Sequence, residues 1–205
     1  RIAFTVAMVG AFAGFSAKID WKKFWFHNVL VARLTERIVR LCREVDGTEY
    51  LSGLLHDIGK VIVEHYFPSE FERIIIGAIE KQCSHAQVET TILGVDHTQI
   101  GAAMCLQMQI HPHIRRAVRF HHDPLCPEHL AEPGSDGGFL AICVSAADQV
   151  ANQVEKLRKE PGKPVSLAGL APALGLLDAK MKPRTLDLDV HTEISKTEGD
   201  LSGLL

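Results

Sequence analysis

Gly53-Leu54-Leu55-His56-Asp57-Ile58-Gly59-Lys60 sets an adjacent histidine and aspartate at the end of an apolar run. The pair falls at the inner end of a helix, and Gly59 is expected to let the chain turn there, since glycine carries no Cβ penalty at a helix end. A single His-Asp dipeptide is common by chance. Its flanks give it weight. Upstream, Phe24, His27, Val31, Leu34, Ile38, Leu41 and Val45 recur at steps of three and four residues, the period of a helix with one buried face. His27 lies in that stripe and is expected to point inward. Downstream, His97 leads a stripe through Gly101, Met104 and Met108, and His121 follows Ile114 and Val118 on one face. Asp148 shares a face with Ala141, Val144 and Ala151.

His27, His56, Asp57, His97, His121, His122 and Asp148 thus form a metal-ligand inventory spread over separate helices. Neutral imidazole suits Zn, Fe, Ni and Cu, and a carboxylate can bridge two ions. Seven groups exceed the needs of one tetrahedral ion and match two ions sharing an aspartate. Inward Asp57 and Asp148 need hydrogen-bond partners or a metal, because unpaired buried charge is costly. Each residue alone has a plainer reading. His27 fits a core histidine bonded to a carbonyl, His121-His122 a positive helix end, and Asp148 a cap on a neighbouring helix.

Composition narrows the class. With 205 residues, 46% of them hydrophobic, the chain suits one well-buried domain. A formal net charge of −3 advertises no basic surface, so nucleic acid is not expected as a partner. Cys42, Cys83, Cys105, Cys126 and Cys143 form no Cys-x-x-Cys pair, which suits reduced thiols in a cytoplasm. Ile2 to Phe12 resembles a signal-peptide core but is too short to span a bilayer, and a buried helix is the favoured reading. No membrane association is expected.

Periodicity predicts helices near 2–13, 21–45, 48–57, 59–66, 68–82, 86–92, 97–109, 112–122 and 137–158, with no sheet. Glu132 to Gly138 reads as a connector between ligand-bearing helices, with a lid as the alternative. Lys182 to Leu205 shows little periodicity. His65, His85, His111, His113, His129 and His191 lack a buried-face pattern and are expected at the surface.

Phe24-Trp25-Phe26-His27-Asn28, the His56-Asp57 segment, Leu93-Gly94-Val95-Asp96-His97-Thr98-Gln99-Ile100-Gly101, His111-Pro112-His113-Ile114, His121-His122-Asp123-Pro124 and Ala146-Ala147-Asp148 follow one another in order. Together they resemble the HDOD branch of the HD superfamily over about residues 1–154. The resemblance implies an all-α, HD-domain-like helical bundle around a metal site, and a bacterial signal-transduction role. It implies that His27, His56, Asp57 and Asp148 hold one ion. His97, His121 and His122 stand where the related HD-GYP enzymes hold a second ion bridged by the aspartate. The divalent metal is expected among Fe, Mn, Ni and Zn.

On this resemblance residues 1–160 form the domain, with its N-terminal helices mostly absent since the chain opens at Arg1. Residues 161–205 form an extension packed on it, with a mobile tail. No Gly-Tyr-Pro segment follows His122, so cyclic di-GMP is not the expected substrate, and Lys23 stands four residues before His27 where some HD-GYP enzymes carry a glutamate. Two functions fit. One is a cytoplasmic regulatory domain that meets a signalling protein partner. The other is a metal-dependent phosphohydrolase acting on a phosphorylated small molecule, with Asp57 bridging the ions and Lys60 facing phosphate oxygens.

Overall fold

The computed structural model describes residues 5–7, 10, 19–126, 136–154 and 190–202. Among these there are helices and turns and no strand. The helices are α1 (Trp21–Arg40), α2 (Thr48–Leu55), α3 (Ile58–Tyr66), α4 (Pro68–Lys81), α5 (His85–Leu93), α6 (His97–Gln107), α7 (Pro112–Phe120), α8 (Asp136–Ala151) and α9 (Val190–Leu201). Of the predicted 2–13 helix, residues 5–7 and 10 are described and are helical. The Glu132–Pro133–Gly134–Ser135 stretch of the connector and the boundary at 160 lie outside the described residues.

Local chemistry starts these helices where it should. Asp20 caps α1 by accepting from the Lys23 amide at 3.1 Å. Ser84 with Gln87, and Asp96 with Gln99, form reciprocal capping boxes at the starts of α5 and α6. Pro68 and Pro112 occupy first turns, where a missing N–H costs nothing.

α1 is the central element. It packs on α2, α8 and α9, while α7 lies against α8, α6 and α2, and α3 against α6 and α4. Leu30, Val31, Leu34 and Ile38 of α1 meet Leu140, Val144, Ala147 and Val150 of α8 in the largest core cluster. Full burial of each such aliphatic side chain is worth roughly 1.5–3 kcal/mol. Two glycines let helices approach until backbones touch. A Cβ on Gly53 would stand 2.5 Å from Ala32 Cα, and one on Gly59 would stand 1.9 Å from the His97 carbonyl oxygen.

Four sequence expectations change. The 21–45 helix ends at Arg40, and Leu41 is exposed rather than core. Met108, the last member of the α6 stripe, is 58% exposed just past that helix's end. Gly59 does not make the turn. Asp57 does, with φ −101° and ψ 10°, and Gly59 lies inside α3 as a packing glycine against α6. The fourth is α9, which occupies a stretch expected to be aperiodic. Its buried side chains are Val190, Glu193, Ile194, Thr197 and Leu201, so the inward stripe is partly polar. Glu193 is held there by Arg33 at 3.5 Å, and Arg33 also pairs with Asp200.

Candidate metal centre

The end of α2, the turn at Asp57 and the ends of α6 and α7 converge on α1 and α8, and this convergence assembles the ligand-type side chains. His56 and His121 both sit just past a helix C-terminus, on α2 and α7. Each turns its ring back on its own helix. His56 Nδ1 donates to the Gly53 carbonyl at 2.7 Å, and His121 Nδ1 donates to the Val118 carbonyl at 2.9 Å. A carbonyl only accepts, so in the neutral form of both rings the proton is on Nδ1 and Nε2 presents a lone pair.

Those lone pairs meet Asp57. Its Oδ2 lies 3.5 Å from His56 Nε2, and its Oδ1 lies 3.3 Å from His97 Nε2 and 3.8 Å from His121 Nε2. His97 Nε2 is 3.0 Å from His122 Nε2. On the other side, Asp148 Oδ1 is 3.0 Å from His27 Nε2 and 3.7 Å from His56 Nε2. Asn152 donates to the same Asp148 oxygen at 2.9 Å. The structure therefore brings all seven sequence-derived residues into one neighbourhood. His56, Asp57, His97, His121 and Asp148 are buried, His27 is half-buried, and His122 stands at the exposed rim.

Two sets of ligand atoms, each within 4.8 Å of one another, are geometrically able to hold an ion. They are Asp57, His97, His121 and His122, and His27, His56 and Asp57. Asp57 belongs to both. Three buried atoms of these sets, His56 Nε2, His121 Nε2 and Asp57 Oδ1, have no hydrogen-bond partner. A buried polar atom left unsatisfied costs roughly 1–3 kcal/mol. A cation where they converge would satisfy all three, so the donor set fits a divalent transition metal.

The electrostatics agree. Burial pushes the Asp57 carboxyl up, but the Lys60 ammonium and the His56 and His97 rings prevail and hold it well below the usual carboxylate range. Asp148 behaves likewise, with His27 and His56 overcoming burial. His121 is driven well below the usual imidazole range by burial and by His122 and His56. His122 falls to about 4 through burial and His97. His56 and His97 move the other way. Burial lowers both, yet the Asp57 and Asp148 carboxylates raise His56, and the Asp57 and Glu89 carboxylates raise His97.

Lys60 differs from a solvated lysine. Its Nζ donates to Asp57 Oδ2 at 2.6 Å. Sequence reasoning missed two residues here. Glu89 on α5 is fully buried and accepts from His97, and His85 is half-buried with an unsatisfied Nδ1 rather than a surface group. Neither carries a signal in spacing, because only the packing of α5 against α6 brings them to the centre.

The HDOD domain model matches residues 1–124, more than half of the chain. The chain belongs to the HDOD family. An uncharacterized protein of Treponema pallidum (strain Nichols) is 29% identical over 100 residues, a match covering 48% of this chain and 20% of that protein. Solved structures show the same fold. An HDOD domain protein of unknown function from Geobacter sulfurreducens superposes with a TM-score of 0.69 at 23% identity, covering 98% of this chain and 66% of that one. A protein of Shewanella amazonensis SB2B provisionally named a phosphohydrolase gives 0.68 at 23% identity, covering 98% and 67%. A protein of Marinobacter aquaeolei VT8 provisionally named for signal transduction gives 0.67 at 16%, covering 98% and 43%. This HDOD chain thus has an all-helical, HD-like fold with a cluster of metal-ligand residues. No described helix is long and apolar enough to cross a membrane.

Proposed function

We propose that this HDOD chain is a signal-transduction module built on a dinuclear divalent-metal centre. His27, His56, Asp148 and one oxygen of Asp57 would hold one ion. The other Asp57 oxygen, His97, His121 and His122 would hold the second. The observation that carries the reading is Asp57, whose two oxygens face two separate histidine sets. The centre would serve as a structural or sensory core, and the module would act through a signalling protein partner in a bacterial cytoplasm.

The likeness to the Marinobacter protein provisionally named for signal transduction supports the regulatory reading. Lys60 donates to Asp57 Oδ2 through one of its three N–H groups, so it helps to hold that aspartate. The second reading, a phosphohydrolase acting on a nucleotide or signalling phosphate, draws support from the ligand set and from the likeness to the Shewanella protein. Two bound ions would supply Lewis acidity, activating water and neutralising phosphate oxygens. In that case Asp57 would hold the ions and Lys60, beside it, would offer its remaining N–H groups to a phosphate oxygen.

The discriminating assay is hydrolysis of bis-p-nitrophenyl phosphate by protein loaded with Mn, Fe or Ni, beside Asp57→Ala and Lys60→Ala. The regulatory reading predicts no turnover above buffer by fully loaded wild type. Metal-dependent turnover lost in both variants would overturn it in favour of the enzyme.

A further inference from the structure

The carboxylate of Glu89 stands outside both ligand sets, yet it is as deeply buried as any of their members. Glu89 is 0% exposed and His97 is 1% exposed. The same Glu89 oxygen, Oε2, accepts from the His97 backbone N–H at 2.7 Å and from His97 Nδ1 at 2.6 Å. One oxygen therefore anchors both the start of α6 and the ring carried by its first residue.

We propose that Glu89 is the positioning residue of the second ion, fixing the His97 ring by its Nδ1–H so that Nε2, beside Asp57 Oδ1, is the nitrogen left to meet an ion. The proposal rests on the dinuclear reading. The chemistry follows from the acceptor. A carboxylate beside Nδ1 can only receive a proton-bearing nitrogen, so the ring proton resides on Nδ1 and Nε2 is left to coordinate. His56 and His121 reach the same end through backbone carbonyls, but those are neutral. Glu89 differs in supplying a full negative charge, which makes the His97 ring a more electron-rich ligand. Gly59 completes the arrangement, since its missing Cβ is what allows α3, which follows Asp57, to lie against the His97 carbonyl.

A carboxylate serving only to pin α6 would leave the ring's tautomer untouched, and this readout separates the two roles. The Glu89→Gln variant keeps shape and one acceptor without the charge, and Glu89→Ala removes both. Chelator competition should show one of the two ions, the second, losing about 10-fold in affinity in Glu89→Gln and about 100-fold in Glu89→Ala, with the other ion unchanged. Long-range 15N NMR of metal-free wild type at alkaline pH, where the ring is neutral, should show His97 as the Nδ1–H tautomer, and Glu89→Ala should lose that preference. If Glu89→Ala fails to fold, Glu89→Gln decides the question by the same two readouts. Wild-type loading with equally tight binding of both ions in the variants would overturn the role of Glu89 alone, as would an Nε2–H tautomer in wild type. A wild-type chain that takes up no metal would overturn the dinuclear reading together with this proposal.

Discussion

At the scale of single residues the cluster is one that protons and a metal ion would compete for. His56 and His97 sit above the ordinary imidazole value of 6.5 because, against burial, neighbouring carboxylates stabilise their charged forms. In the metal-free chain the charged form of each ring is favoured beyond its ordinary balance. Their folded pKa values exceed the unfolded one, so their contribution to stability is complete below 6.5 and is lost as pH rises through the folded values. A divalent ion must displace those protons, and its affinity therefore rises over the same range. His121 and His122 are depressed and stay neutral in the folded chain over this range, so they leave the metal gap alone, but their unfolded rings still shed protons just above 6.5 and this offsets the loss of stability there. As pH is raised above 6.5, the gap between metal-free and metal-loaded protein should widen. Paired thermal melts across that range check this. A gap that narrows as pH rises would contradict it.

At the scale of elements, what places the ligands is helix packing made possible by two glycines. Gly59 was read in the sequence as a turn residue because a glycine after a helix end usually is one. Its purpose emerges only when α6 is seen against α3, a contact between segments nearly forty residues apart (roughly the spacing from Gly59 to His97). Gly59→Ala would drive a Cβ into main-chain atoms, the His97 carbonyl at 1.9 Å and the Gly101 amide at 2.9 Å, which cannot rotate away. The expected cost is on the order of 2–4 kcal/mol, or a Tm lower by roughly 5–15 °C, with metal affinity falling as Asp57 and His97 separate. Circular-dichroism melts of wild type and variant decide it, and a Tm within two degrees (about the assay's resolution) would argue against the close approach. Helices with apolar stripes were legible from spacing alone, as α1 and α7 show. α9 was not, because its inward face mixes Val190, Ile194 and Leu201 with Glu193 and Thr197, and the buried glutamate is paired by Lys196 on the same helix and by Arg33 and Arg37 of α1.

At the scale of the whole molecule, the all-helical fold and the seven-residue convergence were both readable, since ligand-type residues on buried helix faces have few inexpensive alternatives. Glu89 was not, because its place depends on which helices become neighbours, whereas the Lys60–Asp57 pair lies only three residues apart and was open to a local reading. The chain spans about two thirds of the Geobacter and Shewanella structures it superposes on and about one fifth of the Treponema protein. The signalling role is therefore a proposal about this domain, while the metal centre is a claim its own residues can test. Purified protein prepared without chelator, reloaded with Mn, Fe, Ni or Zn and desalted, should contain about two ions per chain by elemental analysis. Asp57→Ala should retain fewer than one and melt at a lower temperature, since ligand binding to the folded state adds to its stability. A wild-type chain that cannot be loaded, together with an Asp57→Ala variant that melts higher, would contradict the account.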